Sequence, residues 1–254
     1  MTPRTVACLV LMSFVGSAGT AAADVAQADS TRLERGSVDE RRDALEAVRD
    51  LPPEGCDAAV LNAIEREAQR MLVWYRGPEL VDHDVRDVYA LYSMGLLRVL
   101  RESRDPRFIP IFVDFSFMFA EASTALVDFG ELAVPQLVGA VRGTEDALSR
   151  RGGATSVLAE ILRRSMNGAA PPLPEESRQE SVALARELLG AGFTPGYVGG
   201  IARLALATQE SDLRAELKEL ATNRAAWIRR NVTEDQLIEP GQRIVTYLLK
   251  ASQP

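Results

Sequence analysis

The chain of 254 residues carries 36 acidic and 29 basic side chains, which gives a net charge of −7. So acidic a chain is a poor candidate for nucleic acid or anionic membrane surfaces, because both select basic patches. Its hydrophobic fraction of 46% indicates a protein that buries a core.

Residues 1–23 have the parts of a secretory signal peptide. MTPR is a short basic start, TVACLVLMSFVG is an apolar run, and SAGTAAA ends in the A-x-A pattern of a cleavage site. The apolar run is shorter than the roughly 20 residues of a spanning helix, which favours cleavage over a membrane anchor. We therefore expect export, to the periplasm or the extracellular space if the source is bacterial. No second apolar stretch reaches spanning length, so we expect no transmembrane segment in the mature chain.

Cleavage removes Cys8 and the charge of Arg4. The mature chain then has 28 basic and 36 acidic side chains, a net charge of −8, and keeps only Cys56. A single cysteine cannot form an internal disulfide, so stability has to come from burial of apolar surface.

The next segments predict helices. Residues 24–36 are polar and aperiodic, which predicts a flexible lead-in. Ser37 and Glu40 form a capping box that starts a helix running to about Asp50. Amphipathic spacing predicts further helices over about 57–76 and 84–102.

An apolar run, FIPIFVDFSFMF, follows. Its Phe108, Phe112, Phe115 and Phe119 fall on one helical stripe, which predicts a central helix buried on both sides. An aromatic ligand pocket or a membrane-binding face is the alternative.

Two helical hairpins are predicted between residues 105 and 163. DPRFIPIFVDF and ELAVPQLVGAV place Pro110 and Pro135 near helix starts, where a missing N–H is tolerated. After a polar joint, Arg151, Ala154 and Leu158 of SRRGGATSVLAEIL form the spacing R-x-x-A-x-x-x-L.

This pattern resembles the HEAT-type α-solenoid repeat over about residues 105–163, with a weaker echo over 38–50. The resemblance implies stacked helical hairpins that present an extended binding surface. Gly152 and Gly153 depart from it, since each costs a helix about 1 kcal/mol relative to alanine.

A Pro-rich loop at 166–176 either separates two lobes or spans one face of the solenoid. Helices are predicted beyond it at about 175–190, 195–208, 210–229 and 240–251, and no segment has strand alternation. We therefore predict an all-α fold in one domain, residues 37–254. Its HEAT-like hairpins either stack as a short α-solenoid or form an irregular helical bundle.

The search for chemistry names no catalytic, cofactor-binding or metal-binding residue. His83 is the only histidine, so a catalytic triad or a multi-histidine metal site would have to include it. Asp82, Asp84 and Asp87 surround it, which permits a cation site but is also typical of an acidic helix start. We favour the helix start. Asn231-Val232-Thr233 matches a glycosylation sequon, which has meaning only in a eukaryotic secretory pathway.

Two functional hypotheses follow. In the first, the chain is an exported, non-catalytic scaffold that binds a protein partner on its solenoid surface, with no cofactor and no nucleic acid. Its net charge favours neutral or basic partner surfaces. In the second, an enzyme or ligand carrier uses a dispersed carboxylate, arginine and tyrosine site between helices. Bilin-attaching lyases with short HEAT-like repeats offer a remote analogy for the second.

The cleavage pattern predicts that the mature chain begins at Asp24. Terminal peptide sequencing of protein recovered from an exported fraction tests this expectation. Recovery of a chain that still begins at Met1 would contradict it.

Overall fold

The computed structural model describes residues 31–33, 35–49, 58–76, 83–143, 148–190 and 193–252. Residues 1–23, Cys56 and Asp82, on which several predictions rest, lie outside this part of the chain. All regular secondary structure in the described part is helical, which confirms the all-α prediction. The chain divides into two compact units, residues 1–111 and 112–254.

The described helices of unit 1 are α1 (Val38–Arg49), α2 (Ala58–Arg76) and α3 (His83–Ser103). Within the predicted lead-in, residues 31–33 are helical and the side chain of Leu33 is fully buried. The capping box before α1 is confirmed: the Ser37 N–H donates to Glu40 Oε2 at 2.7 Å, and the Glu40 N–H donates to Ser37 Oγ at 3.4 Å.

A buried carboxylate joins the helices of unit 1. Glu67 of α2 is paired with Arg41 of α1 at 2.9 Å and with Arg70 of its own helix at 2.8 Å. Its side chain retains only 2% of its surface in solvent, so loss of either partner would leave a buried charge poorly compensated. Burial, and then the nearby charge of Glu67, raise the pKa of Tyr92 on α3. The charges of Arg41, Glu67 and Arg70 are thus paired with one another, and the cluster joins the helices of unit 1.

Helix α4 (Ile109–Phe115) contains the boundary between the units. The remaining helices of unit 2 are α5 (Ala120–Phe129), α6 (Val134–Arg142), α7 (Leu148–Met166), α8 (Glu175–Leu189), α9 (Val198–Ala207), α10 (Ser211–Thr222), α11 (Arg224–Ile228) and α12 (Asp235–Ala251). Helix α7 packs most extensively against α6 and α9, and α12 packs against α9 and α10.

The aromatic stripe is buried where it is helical. Phe108, Phe112 and Phe115 are fully buried, as predicted. The helix ends at Phe115, however, and Phe119 is the N-cap residue of α5, with its ring centroid 5.7 Å from that of Phe115. The run is therefore a short helix and a turn rather than one long central helix.

The second predicted hairpin is α6 and α7. Pro135 lies in the first turn of α6, as predicted. The Arg151 Nε–H donates to the carbonyl of Val141 at 2.8 Å, so the arginine of the R-x-x-A-x-x-x-L pattern ties α7 to the end of α6. Ala154 and Leu158 are buried on the same helix.

The glycines that weaken the helical pattern of α7 allow close packing. A Cβ atom at Gly152 would lie 3.0 Å from Cβ of Tyr197, and one at Gly153 would lie 3.0 Å from the backbone of Phe117. Across from them, a Cβ at Gly200 of α9 would lie 3.3 Å from the carbonyl oxygen of Gly152. Side chains at these positions would push the neighbouring elements apart.

The C-terminal boundaries differ from the prediction in two places. The predicted helix over 210–229 is broken at Asn223, whose side chain caps α11 by accepting from the Ala225 N–H at 3.0 Å. The last helix begins at Asp235, so Pro240 lies inside it rather than in its first turn. Pro240 and Gln236 are both exposed, so water can satisfy the Gln236 carbonyl that a proline cannot reach.

The Pro-rich loop lies inside unit 2 and does not mark the boundary between the units. The Leu173 N–H donates to Ser165 Oγ at 2.8 Å, and the Ala169 N–H donates to the Arg164 carbonyl at 2.9 Å. These bonds fold the loop back onto the end of α7, so both of its ends belong to one core.

One described stretch, Ala120–Arg142, is long and apolar enough to cross a membrane by length and composition alone. It contains α5 and α6 with a 3₁₀ turn between them, and Gly130 in the turn has a φ of 57°. Buried core helices pass the same test, and Val134, Leu137 and Val138 are buried here.

Gly241 of α12 gives a sharp test of this packing. A Cβ at this position would overlap the buried ring of Trp227. We expect Gly241→Ala to destabilise the protein by about 1–3 kcal/mol through overpacking. Gly139→Ala is the matched control, because nothing lies within 4 Å of its Cβ position on α6. The control should be neutral or stabilising by up to about 1 kcal/mol.

Urea unfolding followed by tryptophan fluorescence measures both changes. Equal stability of the two variants would contradict the packing of Trp227 against Gly241.

Candidate functional site

Unit 2 contains a groove of about 920 Å³ between α7, α9, α10 and α12. Three arginines and one carboxylate line it, together with apolar side chains on its floor. We call it the arginine groove and define it by Glu160, Arg163, Arg203, Leu206, Arg214 and Leu248. Ser156, Asn167, Gln209 and Ser252 add polar groups to its lining.

Helical spacing brings these side chains to one place. Ser156, Glu160 and Arg163 follow one another at i, i+4 and i+7, so they share a face of α7. Arg203 and Leu206 are three residues apart on α9, whose sequence VGGIARLALA contains no other charge. Arg214 lies in the first turns of α10. The close approach of α7 and α9 at their glycines brings the first two faces together.

Glu160 is held by two arginines. Arg163 donates to its two oxygens from Nε and Nη2, both at 2.7 Å, and Arg164 Nε donates at 2.9 Å. The hydrogen bonds from Arg163, and then those from Arg164, lower the pKa of Glu160 to about 2. Its carboxylate is therefore ionised at neutral pH and shared between two guanidinium groups.

Arg214 is fixed by neutral acceptors. Its Nη2 donates to the carbonyl oxygen of Ser252 at 3.3 Å and to Ser252 Oγ at 3.2 Å. These bonds hold the guanidinium against the end of α12 without neutralising its charge. Its other N–H groups have no partner among the described residues and can bind a ligand in the groove.

Arg203 is exposed, and within the described residues its guanidinium has no hydrogen-bond or ion-pair partner. Most other described arginines of unit 2 contact a carboxylate. Arg186, for example, contacts Asp212 at 3.1 Å and Glu210 at 3.4 Å. The groove thus combines a positive charge that lacks a partner with one held by neutral groups.

The lining suits binding better than proton transfer. Arginine stays protonated at all ordinary pH values, and the lowered pKa of Glu160 makes it a weak base. The arrangement provides guanidinium donors, polar neutral groups and an apolar floor, which together hold an anionic group with some carbon surface.

The described lining of this groove includes none of the residues weighed in the sequence. Helix α3 begins at His83, as the helix-start interpretation predicts, but the side chains of His83, Asp84 and Asp87 lie outside the described part. Asn231 is exposed and has a φ of 60°. Among the described residues, no group of three or more His, Cys, Asp or Glu could hold a metal ion.

The groove arginines escaped the sequence reasoning, although signals for two of them exist. Arg203 interrupts an otherwise apolar helix, and Arg163-Arg164 ends an amphipathic one. Such positions are typical of a charge placed at the edge of a helix interface. No local sequence pattern predicts that α7, α9, α10 and α12 converge.

Comparison with known proteins adds no assignment, because no protein family matches the chain and neither a curated protein nor a solved structure is detectably similar to it.

The contacts of Glu160 predict a measurable titration. Arg163→Gln removes its stronger partner and should raise the pKa of Glu160 from about 2 toward its ordinary value of 4.5. Because the folded pKa is the lower one, these contacts stabilise the fold above about pH 4.5, and that stabilisation is lost as the pH falls toward 2.

Carbon-13 NMR of the glutamate carboxyl groups follows the titration. Arg243→Gln, which removes an arginine paired with Glu239 instead, is the control. A midpoint for Glu160 that does not move in Arg163→Gln would contradict the assignment.

Proposed function

We propose that this chain is an exported, non-catalytic binding protein that holds a segment of a protein partner in the arginine groove. The observation that carries the proposal is the groove itself, with three arginines, one carboxylate and an apolar floor drawn from four helices. The export part rests on the pattern of residues 1–23 and the scaffold part on the HEAT-like hairpins.

The exposure of the lining favours a partner segment over a small molecule. The side chain of Arg163 keeps 53% of its surface in solvent, and Arg203 is also exposed. Small-molecule sites bury most of the ligand surface. A segment of a larger partner can bind exposed arginines such as these, because part of the segment can stay in contact with water.

A ligand carrier is the second candidate, because several ionisable groups surround the groove and its volume of about 920 Å³ lies within the range of small-molecule pockets. In that case the ligand would remain with the purified protein, and native mass spectrometry would detect its mass.

A substitution that fills the groove without changing its charge tests the proposal. Ala251 is exposed on α12 and lines the groove, so Ala251→Trp should occupy it and leave the core intact. Ala183→Trp, at an exposed position on α8 outside the groove lining, is the matched control. Circular dichroism should show parent-like folding for both variants.

We expect the parent chain and Ala183→Trp to capture the same partner from an envelope or secreted fraction, and Ala251→Trp to lose it. Photo-crosslinking from a probe at position 251 should then join the partner to the groove. Capture by Ala251→Trp at the parent level would refute the proposal. If Ala251→Trp instead removes a bound small molecule and leaves protein capture unchanged, the chain is a ligand carrier.

A further inference from the structure

The arginines of unit 2 differ in whether they contact a carboxylate. Among its described residues, every arginine contacts a carboxylate except Arg151, Arg203 and Arg214. Arg151 is accounted for, since it donates to the Val141 carbonyl and its guanidinium lies 5.7 Å from the centre of the Tyr197 ring. The two that remain both line the arginine groove.

The groove is therefore a positive site on a negative chain. Its lining has three arginines against one carboxylate, and that carboxylate is shared with Arg164. The whole chain has a net charge of −7. Within the described part of the chain two arginines of this groove contact no carboxylate, so their charge is available to an anionic group supplied from outside.

From this imbalance we infer that the arginine groove takes a short acidic segment of a protein, in which carboxylate side chains alternate with aliphatic ones. The inference rests on the proposed function and specifies the chemistry of the bound segment. Arg203 and Arg214 bind its carboxylates, since a guanidinium presents paired N–H groups that match a carboxylate. Leu206 and Leu248 contact its aliphatic side chains.

The apolar floor distinguishes this ligand from a simple anion. Inorganic phosphate would use the arginines but gain nothing from Leu206, Leu248 and Ala207. A carboxylate-bearing segment uses both kinds of surface. Arg214 is also pre-positioned by Ser252, so it loses little side-chain entropy when the segment binds.

Fluorescence anisotropy on the full mature chain tests the inference. The probe is a short labelled peptide of glutamate and leucine residues, and the matched peptide has glutamine in place of every glutamate. We expect the acidic peptide to bind and the glutamine peptide to bind at least about tenfold more weakly. Affinity should fall as salt is raised.

The variants Arg203→Gln and Arg214→Gln should each weaken the acidic peptide by about tenfold, because each removes a charge-assisted contact. Arg243→Gln is the control: it removes an exposed arginine of α12 that pairs with Glu239 outside the groove lining, and it should leave affinity unchanged. Inorganic phosphate should displace the peptide only weakly.

Equal affinity for both peptides, or equal effects of all three substitutions, would overturn the inference. Tight binding of phosphate in place of the peptide would do the same. If Ala251→Trp abolishes partner capture but the acidic peptide does not bind, the ligand class is wrong and the proposed function stands. If Ala251→Trp leaves capture intact, the proposed function itself fails.

Discussion

Helices α7 and α9 approach each other at Gly152 and Gly200, where a Cβ added to Gly200 would lie 3.3 Å from the carbonyl oxygen of Gly152. The placement of the arginine groove depends on this approach. It brings the face of α7 that holds Glu160 and Arg163 beside the face of α9 that holds Arg203, and α12 then packs on α9. Bulkier residues would separate the two faces and widen the arginine groove. The helix propensity lost at the glycines is offset by the contact they permit.

The distribution of charge follows a different rule from the distribution of apolar residues. Ion pairs such as Arg142 with Glu180, and Arg186 with Asp212, join neighbouring helices on the surface of unit 2. Exposed pairs of this kind contribute little to stability. Because a carboxylate already neutralises each of these arginines, they attract an anionic ligand only weakly. The groove arginines differ, because Arg203 has no partner among the described residues and Arg214 contacts the neutral Ser252.

Local patterns predicted the elements of the fold well and their assembly poorly. The capping box at Ser37, the helix start at Pro135 and the burial of Phe112 were all readable, because each depends on a few neighbouring residues. The helix start predicted from Pro240 was wrong, because the exposed turn around this proline allows the helix to continue through it. Gly152 was interpreted from the sequence as unfavourable for a helix, because the close packing against Tyr197 that requires a glycine is visible only in the structure. The arginine groove was out of reach for the same reason, as it needs four helices brought together.

The net charge and the groove act over different distances. At physiological ionic strength, charges separated by more than about 8 Å are largely screened, so the acidic surface as a whole repels an acidic segment only weakly. Within that distance the segment meets Arg203 and Arg214 directly, over an apolar floor of lower dielectric. The overall charge alone favours neutral or basic partners, whereas the groove favours carboxylates. The short-range contacts decide which segment binds, and the long-range field only slows its approach.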